Sequence, residues 1–439
     1  MATAVKMAQK PLSILISGSG VAGASLALML ARHPSFTMKP IITLVERSSV
    51  PRISGQAVDI RGSAVEVIRQ LGIEPDVKAR HTTETGLAIL NGQGSTIATL
   101  NATGDTDKQS ITSEYEILRG ELVGLLLDGV NKAKEEGAQV DIVHGENITH
   151  LEDHGDGVHV KFANGKLHDQ NYDVVVAADG SASRTRTMIF GKKDQKDPIK
   201  PTGMYVAFLT IPRLPQDDKI YKWCMLPNGM AMHLRPHRNP KTMGLYLVIT
   251  KATRSRDPEM EAVLRSDIAS QKAYLKERFQ DAGWQSNRFV EALDGADDFY
   301  MTHWCQVVTP NWTKERCVIL GDAAFATMGV GTSLAMTGAY TIAGELSKIE
   351  SSKDVSAALK RYEEIFRPLV AKHEKPPPGF PQLASPQTAW GVTMLHSVIR
   401  VVAALRLPQL AMKLFGGEEK NGWVLPDYGW KEKSKRVGF

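Results

Sequence analysis

The chain has 439 residues, of which 42% are hydrophobic and 23% charged, with a formal net charge of +5. That length exceeds one ordinary core and predicts two domains or one large composite, with the make-up of a water-soluble globular protein. A charge of +5 without an Arg/Lys stripe interleaved with aromatics does not argue for nucleic acid, and no nucleic-acid partner is expected.

In chain order, the apolar run Leu12–Ser17 predicts a strand, followed by the loop Gly18-Ser19-Gly20-Val21-Ala22-Gly23 and a helix to about Arg32. A turn at Pro34 leads to a second strand, Ile41–Glu46, which completes a βαβ-type opening of about 30 residues. A helix over Ser63–Leu71 closes at Gly72, and 86–100 alternates like a hairpin around Asn91-Gly92. Arg119–Lys132 reads as a helix whose apolar face is Leu122, Leu125, Leu126 and Val130. Residues 140–178 read as a three-strand meander whose last strand, Asp173–Ala178, delivers Asp179-Gly180. Strand-rich, aromatic- and Met-rich sequence fills 203–250, and a polar helix is expected over about 258–280. The strand Arg316–Leu320 ends in Gly321-Asp322, a helix runs from Ser333 to Lys348, and helices occupy most of 354–416.

Cys224, Cys305 and Cys317 are odd in number and far apart, which argues against disulfides and for a reducing compartment. Residues 1–10 lack the apolar run of a secretory leader, and no stretch reaches the ~20 apolar residues of a membrane span. A cytoplasmic protein is expected. The basic residues Lys431, Lys433, Lys435 and Arg436 read as a solvated tail. His144, His150, His154 and His159 fall on turn-rich sequence without cysteine partners, so no metal site is expected. Trp390, Met394, Val398, Val402 and Leu405 recur at helical spacing, with Arg400 and Arg406 among them; a helix packed across two domains is preferred to a membrane-surface helix.

Three short segments carry chemistry. Gly18 permits a tight turn, Gly20 lets backbone approach a pyrophosphate, and Gly23 allows close helix–strand packing. The phosphate charge would then sit at a helix N-terminus, with Val21 and Ala22 in its first turn. Glu46 ends the second strand, where an acid can bond ribose hydroxyls, and Arg47 follows it. Asp179, with Ser183 and Arg186 after it, stands at a strand's C-terminal edge, where ligands meet doubly wound sheets. Gly321-Asp322-Ala323-Ala324 precedes Gly329-Val330-Gly331-Thr332, and the helix opening near Thr332 would aim its positive end at a flat ring. Each segment alone also suits a plain turn; together they form a flavin-binding fingerprint.

On these residues the sequence resembles the single-component, class A flavoprotein monooxygenases, the family of para-hydroxybenzoate hydroxylase, and within it the tetracycline-degrading branch. The likeness runs over residues 12–345. It includes Gly55-Gln56-Ala57-Val58-Asp59-Ile60-Arg61-Gly62 and Ile117-Leu118-Arg119-Gly120-Glu121-Leu122. It implies FAD as cofactor, contacted by Asp59, Arg61 and Arg119 besides the residues above, with NADPH or NADH as co-substrate. It further implies oxygen transfer from a flavin C4a-hydroperoxide, without a catalytic acid or base. Phe325 stands where many members have histidine, Thr327-Met328 where a proline is common, and Gly338 in place of a common aspartate.

The fold expected is mixed α/β: a Rossmann-like FAD-binding domain with an inserted β-sheet substrate domain and C-terminal helices. Its pieces would be FAD-binding parts at 11–80, 111–195 and 301–350, a substrate-domain hairpin at 81–110, a β-rich substrate domain at 196–300, and a helical region at 351–439. Phe208, Trp223, Met225, Met232 and Phe325 are the candidates for contact with an apolar or aromatic small molecule, with dioxygen as the other partner. An FAD-dependent oxidase or dehydrogenase on the same fold, or a non-enzymatic binding scaffold, are the alternatives.

Overall fold

Ile14, Leu15 and Ile16 are fully buried, so the strand Ser13–Ser17 has no solvent face and must lie inside a sheet covered on both sides. The computed structural model, which describes residues 10–50, 55–101, 114–191, 197–405 and 423–430, places it there. A six-stranded sheet runs in the spatial order Thr313–Lys314, Cys317–Ile319, Val174–Ala177, Ser13–Ser17, Ile41–Glu46, Val140–His144. Neighbours are parallel except for the hairpin at Thr313–Lys314. The chain leaves Ser13–Ser17 in one direction to Ile41–Glu46 and reaches Val174–Ala177 on the other side, so the strand order reverses at the first strand. Ligands of such sheets bind at that reversal.

The helix Val21–Arg32 is buried along nearly its whole length because it packs between the helices Arg119–Glu135 and Gly331–Ser347. Small residues allow this: a Cβ on Gly129 would stand 3.1 Å from Leu28. Segment 423–430 lies over the far side of this layer. Tyr428 donates to Glu345 at 2.9 Å, Trp423 to the Ile365 carbonyl at 2.7 Å, and Tyr340 to the Pro426 carbonyl at 2.9 Å.

A second sheet has seven strands, in the order Tyr300–Val307, Ile199–Pro212, Thr242–Thr250, Met230–Pro236, Tyr221–Met225, Gly86–Leu90, Thr96–Asn101. Alternation gives it two distinct faces. Tyr205, Ala207, Leu209, Met232, Leu245 and Leu247 point to one, where the helices Pro258–Arg265, Ile268–Phe279 and Ser286–Ala292 cover them with Met260, Leu275, Phe279 and Phe289. Val206, Ala231 and Val248 point to the other, with Phe208, Trp223 and Tyr246 beside them. This second face is turned to the parallel-sheet domain: Tyr246 accepts from the Ala57 amide at 2.9 Å, and Tyr300 donates to Gln56.

Several expectations change. The span 140–178 is not one meander. Val140–His144 and Val174–Ala177 belong to the parallel sheet, and only Ile148–Asp153, Val158–Phe162 and Gln170–Tyr172 form an antiparallel trio. Both sheet strands are pulled out of the meander by partners distant in sequence. The helix over 258–280 is two helices, because Asp267 caps a new one by accepting from Ser270 at 2.8 Å. Tyr300–Val307 pairs with Ile199–Pro212 and so lies in the seven-stranded sheet, past the border expected at residue 300. The helix Ala389–Ala404 packs on the strand Thr96–Asn101 and leaves Trp390, Met394 and Val398 exposed. No helix among the described residues is long and apolar enough to cross a membrane. Arg406, the expected helical end to 416 and the basic residues of 431–439 lie outside the described residues.

Phe366 is fully buried against Trp312, Phe325 and Tyr362. Phe366→Ala should therefore cost about 3–5 kcal/mol of stability, read as a lowered urea midpoint.

Candidate functional site

Three adjacent strands, Ser13–Ser17, Val174–Ala177 and Cys317–Ile319, end at the same edge, so Gly18, Asp179 and Gly321 arrive together. Gly18 has φ +102°, and a Cβ on it would stand 2.5 Å from the Ala178 carbonyl oxygen. A Cβ on Gly23 would stand 1.9 Å from the Gly18 carbonyl oxygen, so this loop admits no side chain at either position. The helix it opens has no side-chain cap and no acid in its first turn, which leaves its N–H groups and positive end for an anion. Glu46 sits beside the loop and accepts from the Ser19 amide at 3.0 Å and the Ser48 amide at 2.9 Å. Arg47 is exposed next to it.

Asp179 is used within its own turn. It accepts from Ser183, from the Thr185 amide at 3.1 Å and from the Thr185 hydroxyl at 2.9 Å. Arg186 is buried and donates to the Ala323 carbonyl at 2.8 Å and the Ser181 carbonyl at 2.9 Å, which ties the Asp179 turn to the Gly321 turn. Asp322 is reached by solvent yet crowded by protein, as on the floor of a cleft. Burial raises its pKa and the charge of Arg119 opposes that rise. Gly331 faces it, since a Cβ there would lie 3.5 Å from Asp322 Oδ1. From Gly331 and Thr332 the helix to Ser347 begins, again without a side-chain cap or an acid in its first turn; Gly329 precedes it with φ +86°.

Arg119 closes the cleft from the opposite side. Its guanidinium lies 3.5 Å from where a Cβ on Gly20 would be, and its side chain packs over Gly55. Its amide donates to the Gln56 carbonyl at 3.0 Å, where Ala57–Asp59 pairs with Glu116–Leu118. Asp59 pairs with Arg61 (Arg61 Nε to Asp59 Oδ2, 2.6 Å), and the Arg61 amide donates to Ser333 at 2.8 Å, which holds this segment on the start of the Gly331 helix. Two uncapped helix N-termini, an accessible acid and an arginine over a side-chain-free loop fit the pyrophosphate, sugar-alcohol and ring of FAD.

The cleft-facing side of the seven-stranded sheet carries a row of rings. Register aligns Tyr300, Phe208, Tyr246, His233 and Trp223 on five consecutive strands. Successive ring centroids are 4.9, 4.8, 6.4 and 5.2 Å apart, so the row spans roughly 20 Å at the usual strand spacing. His233 accepts from or donates to Tyr221 at 2.5 Å, and burial, then the charge of Arg235, push its pKa down to about 3. Of the expected substrate residues, Phe208 and Trp223 lie in this row. Met225 is buried against Ile89, Ile97 and Val392 under the C-terminal helix. Met232 does not reach the cleft: it is fully buried on the opposite face, one residue out of phase with His233. Phe325 also turns into the core, 4.8 Å from the ring of Trp312.

Sequence reasoning left Tyr246, with the other aromatics of 203–250, open between cavity and core, and missed Tyr300, His233 and Arg235 as cleft residues. Strict alternation along Met230–Pro236 and Thr242–Thr250 could have separated the two faces. It also missed Glu84 and Glu116. Glu84 accepts from Arg235 at 2.9–3.1 Å, and Glu116 from Arg235 and, at 2.7 Å, from Thr82. Neither acid sits in a recognisable motif. Burial raises the pKa of Glu84 to about 7, with Arg235 opposing and Glu116 adding to the rise. The rings of His154 and His159 are neighbours, 6.5 Å apart, but among the described residues no group of three or more His, Cys, Asp or Glu could hold a metal.

Comparison with known proteins places the chain among FAD-binding relatives. Residues 12–375 match the family profile of the FAD binding domain. The flavin-dependent monooxygenase eupH of a Phoma species is 32% identical over 95% of this chain and 98% of its own length. A flavin-dependent monooxygenase from an unknown prokaryotic organism is 33% identical over 82% of this chain and 87% of its own. The solved tetracycline destructase Tet(55) superposes with a TM-score of 0.71 at 28% identity, covering 95% of this chain and 99% of that one.

Gly18→Ala should lower FAD retention by roughly tenfold or more, because the added methyl meets backbone that cannot withdraw. Flavin absorbance of the purified protein against its far-UV circular dichroism measures this. Glu84 binds its proton more tightly folded than unfolded, so its contribution to stability is present below pH 4.5 and is lost as pH rises through about 7. Wild type should thus lose stability from pH 5 to 8, on the order of 2 kcal/mol, and Glu84→Gln should flatten that slope in urea titrations.

Proposed function

The chain belongs to the FAD binding domain family, that of the class A flavoprotein monooxygenases, and from this premise we propose that it uses NAD(P)H and dioxygen to insert one oxygen atom into an apolar, ring-bearing secondary metabolite. The observation that carries the reading is the row of rings from Tyr300 to Trp223, joined through Tyr246–Ala57 and Tyr300–Gln56 to the segment that Arg119 and Ser333 hold beside the glycine loop and the Gly331 helix. FAD, when bound and reduced by NAD(P)H, would supply the activation of dioxygen by which one oxygen atom ends in the substrate and the other in water.

The protein's own residues bind, orient and exclude water. Gly18, Gly20 and the N-terminus of the helix at Val21 and Ala22 receive the pyrophosphate, with Arg119 above it. Glu46 turns from Ser19 to the ribose hydroxyls, with Arg47 beside it at the adenosine end. Asp322 holds the sugar-alcohol chain. The N-terminus at Gly331 and Thr332 stabilises negative charge on the pyrimidine edge of the ring. Asp179 and Arg186 act one layer back, keeping two cofactor-side turns at fixed separation. Asp59 and Arg61 brace the segment that lies between the cofactor and the sheet. Residues 81–101 and 199–307 would form the substrate-binding unit. Tyr246 and Tyr300 close it against Ala57 and Gln56, and that seal keeps water from the reacting atoms.

Turnover with NADPH under isotope-labelled dioxygen should leave one labelled atom in the product. Unlabelled product with stoichiometric hydrogen peroxide would instead make the protein an oxidase. Trp223→Ala should raise KM about tenfold and divert much of the NADPH consumed to peroxide. Unchanged KM and coupling would remove the ring row from the substrate site.

A further inference from the structure

The row of rings has two unlike flanks. On one side, register brings Val206, Val248 and Ala231 level, all apolar and small. On the other, Arg235 stands over the ring of Tyr221 at 4.4 Å. Among the described residues level with the row or within four positions of it on this face of the four central strands, from Met204–Pro212 to Tyr221–Met225, Arg235 is the only permanent cation. An arginine beside an aromatic slot ordinarily receives a substrate carboxylate on its fork. Here the Nε–Nη2 edge is already taken by Glu84 at 2.9–3.1 Å, and Nη2 is shared with Glu116. The two carboxylate side chains are 1% and 7% exposed, and Thr82 fixes the second, so the cluster is built into the wall. One guanidinium facing two carboxylates has no positive charge to spare. His233 adds none, because it stays neutral. The Trp223 indole N–H is buried without a hydrogen-bond partner and supplies a neutral donor.

We propose that this face takes an uncharged, extended planar ring system bearing a carbonyl or hydroxyl group, and that the Glu84–Arg235–Glu116 cluster turns away carboxylate-bearing molecules of the same shape. The inference rests on the oxygen-inserting reading for what becomes of the bound molecule, but not for its charge. A carboxylate laid along the row would leave water for a wall whose one cation is already paired, next to Glu116 and, once it gives up its proton, to a second like charge on Glu84. A neutral ring system meets stacking surface and a donor instead.

Titration of the FAD-loaded protein with 2-(hydroxymethyl)anthraquinone and with anthraquinone-2-carboxylate isolates charge at nearly constant shape. The neutral probe should bind roughly tenfold tighter or better, read by tryptophan fluorescence. From pH 6 to 8 the carboxylate should weaken further while the neutral probe holds. Over that range Glu84, which faces Arg235, Tyr221 and Tyr246 of the sheet and Glu116 and Asp59 of the neighbouring ladder, gives up its proton. The E84Q/E116Q double variant should reverse the preference by freeing the charge of Arg235. Equal or tighter carboxylate binding by wild type overturns the proposal, as does a folded double variant with an unchanged ratio. Should that variant not fold, the wild-type ratio and its pH slope decide. A protein that keeps the binding ratio but leaves its product unlabelled loses the monooxygenase reading and keeps this one.

Discussion

Gly18 lies so close to the carbonyl of Ala178 that no side chain fits between them. That contact exists because Ser13–Ser17 and Val174–Ala177 run parallel and adjacent, and Cys317–Ile319 joins them on the far side. Parallel pairing makes all three strands end at one edge, where the chain must turn away. At that edge the backbone, not side chains, forms the surface. A charged, flat dinucleotide can approach such a surface closely because N–H groups are exposed and methyl groups are not.

The rest of the molecule is arranged around keeping that edge rigid and covered. Arg186 spans two of the three turns from beneath, and Asp179 spends both oxygens on its own turn. On the open side, the Gly55–Arg61 segment is held by Arg119, Ser333 and Tyr246 at once. The seven-stranded sheet therefore reaches the cofactor side through a piece of the first domain and not through direct packing. A substrate on the ring row and a flavin on the glycine edge would share this one segment as their common wall.

The cleft face of the sheet divides its labour by row. Aromatic side chains occupy one line, small apolar ones the next, and an ion cluster the third. Such banding needs strict two-residue alternation along each strand and fixed register between strands. A slip of one residue would exchange Tyr246 and His233 for Leu247 and Met232, and the cleft would become the core.

The glycine loop, Glu46, Asp179 and Asp322 were legible in the sequence because each sits on a local pattern of strand, tight turn and helix. The same locality explains why the FAD family could be recognised. Met232 and Phe325, in contrast, are apolar residues whose direction depends on strand register and on which helices cover them; both turned inward. The meander of 140–178 came apart for a related reason, since its first and last strands are claimed by Ile41–Glu46 and Ser13–Ser17, far away in the chain. Glu84, Glu116 and Arg235 meet across 151 and 119 residues of sequence. No spacing rule joins them. The sequence by itself determined the glycine-lined strand edge, because its turns are written in consecutive residues, and the tertiary structure alone decided the ring-lined face of the second sheet, because register and long-range ion pairing are not.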